Sequence, residues 1–245
     1  MTKKAEVIPI LILGLTKTTL LDYPGHVAAA LFTGGCNFRC PFCHNRDIVL
    51  KTGQAVPFTD EEIFSFLAKR RSVLEGVCIT GGEPTLHDDL PDFIGRIKKM
   101  GYLVKLDTNG TNPDMLASLI NTGLIDYCAM DLKNAPQKYA VTSGFSGAAE
   151  SFRLSAVNKS VHTLLSQQKI PYEFRTTVVK ELHCAEDMLS ISRWIAGANA
   201  YFLQSYVDSA GVLCSGYHAH TAETLRAFAD LCRPLIPSVA LRNCS

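Results

Sequence analysis

The stretch Gly35-Cys36-Asn37-Phe38-Arg39-Cys40-Pro41-Phe42-Cys43-His44-Asn45 decides how the rest of the chain is read. It places three cysteines within eight residues, in a setting that favours a loop. A 4Fe-4S cubane has four iron corners, each suited to a soft thiolate, and Cys36, Cys40 and Cys43 supply three. One iron stays open to a substrate. A structural zinc site would want four closed ligands, and only His44 stands near enough in sequence to complete the set. Disulfides fit poorly, because nine cysteines is an odd number and Met1-Thr2-Lys3-Lys4-Ala5 leads into no long apolar segment of secretory type. A cytoplasmic, reducing location is therefore expected. The remaining cysteines, Cys78, Cys128, Cys184, Cys214, Cys232 and Cys244, are scattered and read mostly as small buried hydrophobes, with Cys244 a candidate exposed thiol.

Outward from the loop, strand-like apolar runs alternate with helical periodicity. Strands are expected at Val27 to Phe32, Val77 to Thr80, Tyr102 to Leu106, Ile125 to Asp131, Tyr172 to Val179 and Ala200 to Tyr206. Between them, Thr59 and Glu62 form a capping box, and Leu90, Phe93, Ile94 and Ile97 give a helix one apolar face. Asn112 and Pro113 open a further helix that Gly123 ends. A last helix is expected near Ala222 to Cys232, with Pro234 to Ser245 as a tail. Six βα units fall short of the eight that close a standard barrel. The expected fold is α/β, a partial, laterally open (β/α)6 barrel, with a doubly wound sheet as the alternative; the first βα loop lacks a dinucleotide fingerprint. The 245 residues read as a single domain, with a core from 12 to about 206 and a C-terminal helix and tail from 207 to 245. With 24 basic and 23 acidic residues, the chain offers no broad electrostatic case for nucleic acid or an anionic membrane, and no apolar run reaches spanning length.

Ligands of parallel βα folds sit at the carboxyl ends of strands. There the sequence offers Gly81-Gly82-Glu83-Pro84, then Asp107-Thr108-Asn109, then Asp131 with Lys133, and Arg175 within Glu173-Phe174-Arg175-Thr176-Thr177. Paired glycines admit close backbone approach, and Glu83 could accept hydrogen bonds from an ammonium. Each has a structural alternative: a Gly-Pro turn, an Asp131–Lys133 ion pair, or an Arg175–Glu173 ion pair. As sequence features alone, Asp22-Tyr23-Pro24-Gly25 marks only a turn.

Cys-x3-Cys-x2-Cys with Phe42 before the last cysteine resembles the cluster loop of radical S-adenosylmethionine (SAM) enzymes. The run Gly14-Leu15-Thr16-Lys17-Thr18-Thr19-Leu20-Leu21-Asp22-Tyr23-Pro24-Gly25, followed by Phe32-Thr33-Gly34-Gly35-Cys36, is similar to the anaerobic ribonucleoside-triphosphate reductase activating proteins, relatives of the pyruvate formate-lyase activating enzymes. The resemblance covers residues 12 to about 206. It implies that Cys36, Cys40 and Cys43 bind a 4Fe-4S cluster and that Phe42, Gly81, Gly82, Glu83, Asn109, Lys133 and Arg175 surround SAM, with Glu83 and the two glycines at its amino group. It also implies a monovalent cation at Asp107, Thr108 and Asp131, joined by the Ala129 carbonyl, and a contact from Asp22 to a partner's glycine loop. No side chain acts as acid or base; cluster and SAM carry the chemistry. The implied activity is one-electron cleavage of SAM to methionine and a 5′-deoxyadenosyl radical, which takes a hydrogen atom from a glycine of a glycyl radical enzyme, here anaerobic ribonucleoside-triphosphate reductase. A flavodoxin or ferredoxin would donate the electron. No cysteine cluster lies between Asn45 and Val77, so the ferredoxin-like insertion of some related activases is not expected. The alternatives are a small-molecule enzyme like 7-carboxy-7-deazaguanine synthase, or a non-catalytic zinc or iron–sulfur binding module.

Overall fold

A computed structural model describes residues 10–50, 52–145, 149–209 and 211–243; Cys244 falls outside them. Among these residues the strands are β1 (Ile12–Thr19), β2 (Ala28–Thr33), β3 (Gly76–Gly81), β4 (Leu103–Thr108), β5 (Tyr127–Asp131), β6 (Tyr172–Val178), β7 (Tyr201–Ser205) and β8 (Val239–Arg242). The helices are α1 (Arg46–Leu50), α2 (Asp60–Arg70), α3 (Leu90–Lys99), α4 (Pro113–Asn121), α5 (Tyr139–Ser143), α6 (Ala149–Ser166), α7 (Ala185–Trp194) and α8 (Ala222–Cys232). The fold is α/β, and its eight-stranded sheet follows chain order and is not closed. β1 runs antiparallel to β2, whereas β2–β3, β3–β4, β5–β6, β6–β7 and β7–β8 are parallel. No described helix is long and apolar enough to cross a membrane.

Two strands lie outside the six expected. β1 escapes the period-two test because only Ile12 along it is fully buried and its pairing with β2 is twice interrupted by register shifts. β8 is four residues long and sits in what reads as a tail, too short for periodicity to register. The strands that were legible are those covered on both faces: β2, Ala-Ala-Ala-Leu-Phe-Thr, is buried at every position but one.

The chain forms two compact units. The first comprises residues 1–37, 47–108 and 114–127, and the second 38–46, 109–113 and 128–245. In the first, α2 begins at the anticipated capping box: Thr59 Oγ1 accepts from the Glu62 amide at 3.2 Å, and Glu62 Oε2 accepts from the Thr59 amide at 2.8 Å. Leu90, Phe93, Ile94 and Ile97 of α3 are all buried, which is the apolar face read from their spacing. The Tyr102 hydroxyl donates to the Leu67 carbonyl at 2.7 Å and ties the start of the β4 segment to α2.

In the second unit the C-terminal strand is wired into the sheet by charge. Glu173 on β6 is fully buried and receives two hydrogen bonds from the Arg242 guanidinium on β8, at 2.7 and 2.9 Å. Arg242 also stacks on Phe202 of β7 at 3.6 Å. A buried carboxylate demands such a forked partner. Glu173 finds it in Arg242, an arginine beyond the expected core.

Candidate functional site

In the first unit, β2 delivers Thr33, Gly34, Gly35 and Cys36 from its carboxyl end. Gly34 N–H donates to Leu11 O at 2.7 Å, Gly35 N–H donates to Ile48 O at 2.9 Å, and His87 Nε2 lies 3.1 Å from Gly34 O, to which it must donate. The Gly81-Gly82-Glu83 turn, at the end of β3, is bonded onto this same backbone. Gly82 N–H donates to Thr33 O and Glu83 N–H to Gly35 O, both at 2.8 Å. Gly81 has φ +110, and a Cβ there would lie 2.5 Å from Thr33 N; a Cβ on Gly82 would lie 1.8 Å from the Gly35 oxygen. The paired glycines therefore serve first to let two backbones touch. The cysteine loop and the Gly-Gly-Glu turn, read separately in the sequence, join here as one piece of backbone.

Glu83 is fully buried, and its Oε1 accepts from Thr85 N (3.1 Å), Thr85 Oγ1 (2.6 Å) and Thr108 Oγ1 (2.7 Å). Thr108 thus orients Glu83. Its neighbour Asp107 faces the other side of β4 and bonds the ammonium of Lys105, which is itself 1% exposed. Lys105 escaped the sequence reading, although a lysine two residues before an aspartate in an apolar strand is the same signal that singled out Asp131 and Lys133.

In the second unit, Cys43 N–H donates to Cys40 O at 3.0 Å and turns the loop. Arg39 N–H donates to Ser143 O at 2.8 Å, and Gly144, with φ +70, lies so close to the Arg39 carbonyl that a Cβ would meet its oxygen at 2.1 Å. Cys214 N–H donates to Pro41 O at 2.8 Å and Leu213 N–H to Cys43 O at 3.0 Å, a clamp the sequence did not announce. Phe42 and Cys40 are buried. His44 lies 3.3 Å from the Ser209 hydroxyl and against the Tyr206 ring, and burial lowers its pKa. The described cysteines form no disulfide, and no three described His, Cys, Asp or Glu side chains converge on a single-ion site.

Asp131 ends β5 between two cations: Arg175 Nε donates to its Oδ1 at 2.8 Å and Lys133 Nζ to its Oδ2 at 3.2 Å. Burial works to raise the Asp131 pKa, but Arg175 and then Lys133 outweigh it and hold the carboxyl well below the usual range. Burial works to lower Lys133, and Asp131 reverses that. Asn109 Oδ1 accepts from Thr111 N (3.0 Å) and Thr111 Oγ1 (2.7 Å), a turn closing on itself ahead of α4.

His183, 2% exposed, steadies Lys133 from behind. Its Nε2 lies 2.9 Å from the Lys133 carbonyl, and Nδ1 lies 3.1 Å from the Val179 amide and 3.3 Å from the Val179 carbonyl. Burial lowers its pKa. The unfolded chain therefore takes up this proton first: the contribution of His183 to stability is complete above about pH 6.5 and declines below it, by up to about 1.4 kcal/mol per pH unit. Urea unfolding at pH 7.5 and 5.5 should show this loss, and His183→Asn should remove that part of it.

Asp22 belongs to the first unit. Its amide donates to Thr19 Oγ1 at 3.3 Å in the connection that enters β2 at its amino end, where Tyr23 packs on Gly76 at the start of β3. Cys36 follows the other end of a strand about 17 Å long.

Residues 30–161 match the model of the radical SAM superfamily, and the chain belongs to that superfamily. It is 33% identical over 200 residues, 80% of each chain, to a Methanocaldococcus jannaschii protein provisionally named a glycyl-radical enzyme activating enzyme. A 7-carboxy-7-deazaguanine synthase of Aquifex aeolicus is 37% identical over 79 residues, 31% of this chain and 33% of that one. Among solved structures, Streptococcus suis SuiB bound to S-adenosylmethionine superposes with a TM-score of 0.66 at 13% identity, over 86% of this chain. The present chain spans about half of SuiB, 48% of its length, and the likeness is one of fold.

The superfamily implies a 4Fe-4S cluster and SAM. Three soft cysteine sulfurs in no disulfide, on a loop braced by backbone bonds from other segments, suit the cluster. The implied monovalent cation fits less well. Asp107 is matched by Lys105, Asp131 by Lys133 and Arg175, and the Thr108 hydroxyl donates to Glu83.

Proposed function

We propose that the protein reductively cleaves SAM and thereby generates a glycyl radical on a partner enzyme, anaerobic ribonucleoside-triphosphate reductase. When bound, the cluster would supply one electron to the SAM sulfonium at an iron left open by the three cysteines. The assignment of Cys36, Cys40 and Cys43 to one cluster rests on their sequence spacing. The observation that carries the reading is the pair of 2.8 Å backbone bonds joining Gly82 and Glu83 to the residues that lead into Cys36. They fix a buried, threonine-oriented carboxylate in register with the cluster loop, which suits the amino group of an amino acid chelating the open iron. Gly81 and Gly82 allow that approach, Phe42 lies buried within the loop, and Asn109, Lys133 and Arg175 would hold the remaining polar groups of SAM. These residues position and exclude water; none needs to move a proton. The relationship to an archaeal protein carrying an activase name supports the choice of partner class.

The test is anaerobic coexpression with the reductase under reducing conditions. A glycyl radical doublet in its electron paramagnetic resonance spectrum, with one 5′-deoxyadenosine formed per radical, is expected. Absence of that signal, together with turnover of a free pterin-like substrate, would transfer the assignment to the small-molecule class that the partial match to a 7-carboxy-7-deazaguanine synthase represents.

A further inference from the structure

Lys105 is the most deeply buried ammonium among the described residues, 1% exposed in the middle of β4. Its surroundings are Asp107, bonded directly, the Cys78 sulfur at 3.8 Å and the face of Tyr127 at 6.0 Å. A lysine is rarely put in such a place, because the charged form loses its water and must recover that loss from a fixed anion. Asp107 is itself 9% exposed, so each of these buried charges depends on the other.

This matters because Asp107 and Asp131 are the two carboxylates for which an inorganic cation was expected. Within its own unit each already has organic cations: Lys105 for Asp107, and Arg175 with Lys133 for Asp131. Thr108, the third expected ligand, directs its hydroxyl hydrogen at Glu83. A sodium or potassium ion needs a surplus of negative charge and oxygen donors, and Lys105 has cancelled the surplus at Asp107. An ammonium carries the same unit charge as an alkali ion, with the difference that it is tethered to the strand and cannot be washed out.

We propose that the Lys105 ammonium is the built-in monovalent cation beside Asp107, so that the protein needs no sodium or potassium there. Lys105 then acts as a positioning residue: it keeps Asp107 ionised and in place, while the adjoining Thr108 orients Glu83 on the opposite face of the same strand. The proposal leans on the SAM-binding reading only for one of its two readouts.

The experiment uses the anaerobically purified, cluster-loaded full chain in sodium, potassium or choline chloride at one ionic strength. Thermal unfolding reads ion binding directly, and equilibrium dialysis reads the SAM dissociation constant. For the natural chain both should agree across the three salts, with SAM affinity varying less than twofold. Lys105→Met, close in volume but uncharged, should open the site: potassium should raise its melting temperature saturably, and SAM should bind at least tenfold more weakly in choline than in potassium. A saturable potassium response in the natural chain overturns the proposal and requires no variant to fold. Salt indifference of a folded Lys105→Met chain overturns it equally. If SAM fails to bind in every salt, the SAM reading falls while the thermal measurement still decides the role of Lys105.

Discussion

Cys40→Ala is expected to leave a folded, colourless protein that neither holds iron nor forms 5′-deoxyadenosine from SAM and dithionite. Cys40 is buried, at the centre of a loop whose backbone is fixed by its own turn and by donors from Leu213 and Cys214. Alanine alters none of those backbone bonds, so the loop should persist without its middle thiolate. Two thiolates cannot retain a cubane with an exposed iron, and iron content should fall from about four per chain to near zero. Cys78→Ala is the control: its sulfur sits inside the first unit beside Lys105, and the variant should keep the full complement of iron. Cleavage retained by Cys40→Ala would show that another residue supplies the third ligand.

Gly82→Ala should do comparable damage by a different route. The added methyl would occupy a point 1.8 Å from the Gly35 carbonyl oxygen, and the obstacle is backbone, which has no rotamer to change. Relief requires a shift of more than an ångström that breaks the Gly82–Thr33 and Glu83–Gly35 bonds together and pulls Glu83 from its threonine donors. The expected cost is at least about 3 kcal/mol of stability, accompanied by loss of SAM binding. Denaturant unfolding and equilibrium dialysis together check it: a normal midpoint would mean that the close approach is not present in solution. Gly53→Ala, where nothing lies within 4 Å of the new carbon, is the neutral comparison.

The difference between what was legible and what was not follows from the range of the interactions. Strands buried on both faces declare themselves as apolar runs, and α2 and α3 through a capping box and a 3.6-residue stripe; all of these signals are contained in fewer than a dozen residues. Asp131 and Lys133 were likewise legible as an ion pair because they are neighbours on one strand face. For Arg175 the sequence offered a SAM contact, with Glu173 as the structural alternative; the carboxylate that Arg175 meets, Asp131, and the arginine that meets Glu173, Arg242, reach β6 from other strands, and only the sheet reveals who stands beside whom. Gly81 and Gly82 were read as room for a ligand, whereas much of that room is filled by the protein's own backbone. Lys105 carried the same i, i+2 signal as Lys133 and lacked only a motif to draw attention to it.

The backbone donors from Leu213 and Cys214 to the cysteine loop set an order of events during synthesis. Cys36, Cys40 and Cys43 leave the ribosome well before Leu213 and Cys214, the residues that brace their loop, and before the Arg242 that neutralises Glu173. At ordinary elongation rates the thiols wait on the order of ten seconds before their support exists. A nascent chain stalled before residue 213 would leave the thiols of Cys40 and Cys43 without these backbone braces, open to whatever oxidant or metal arrives first.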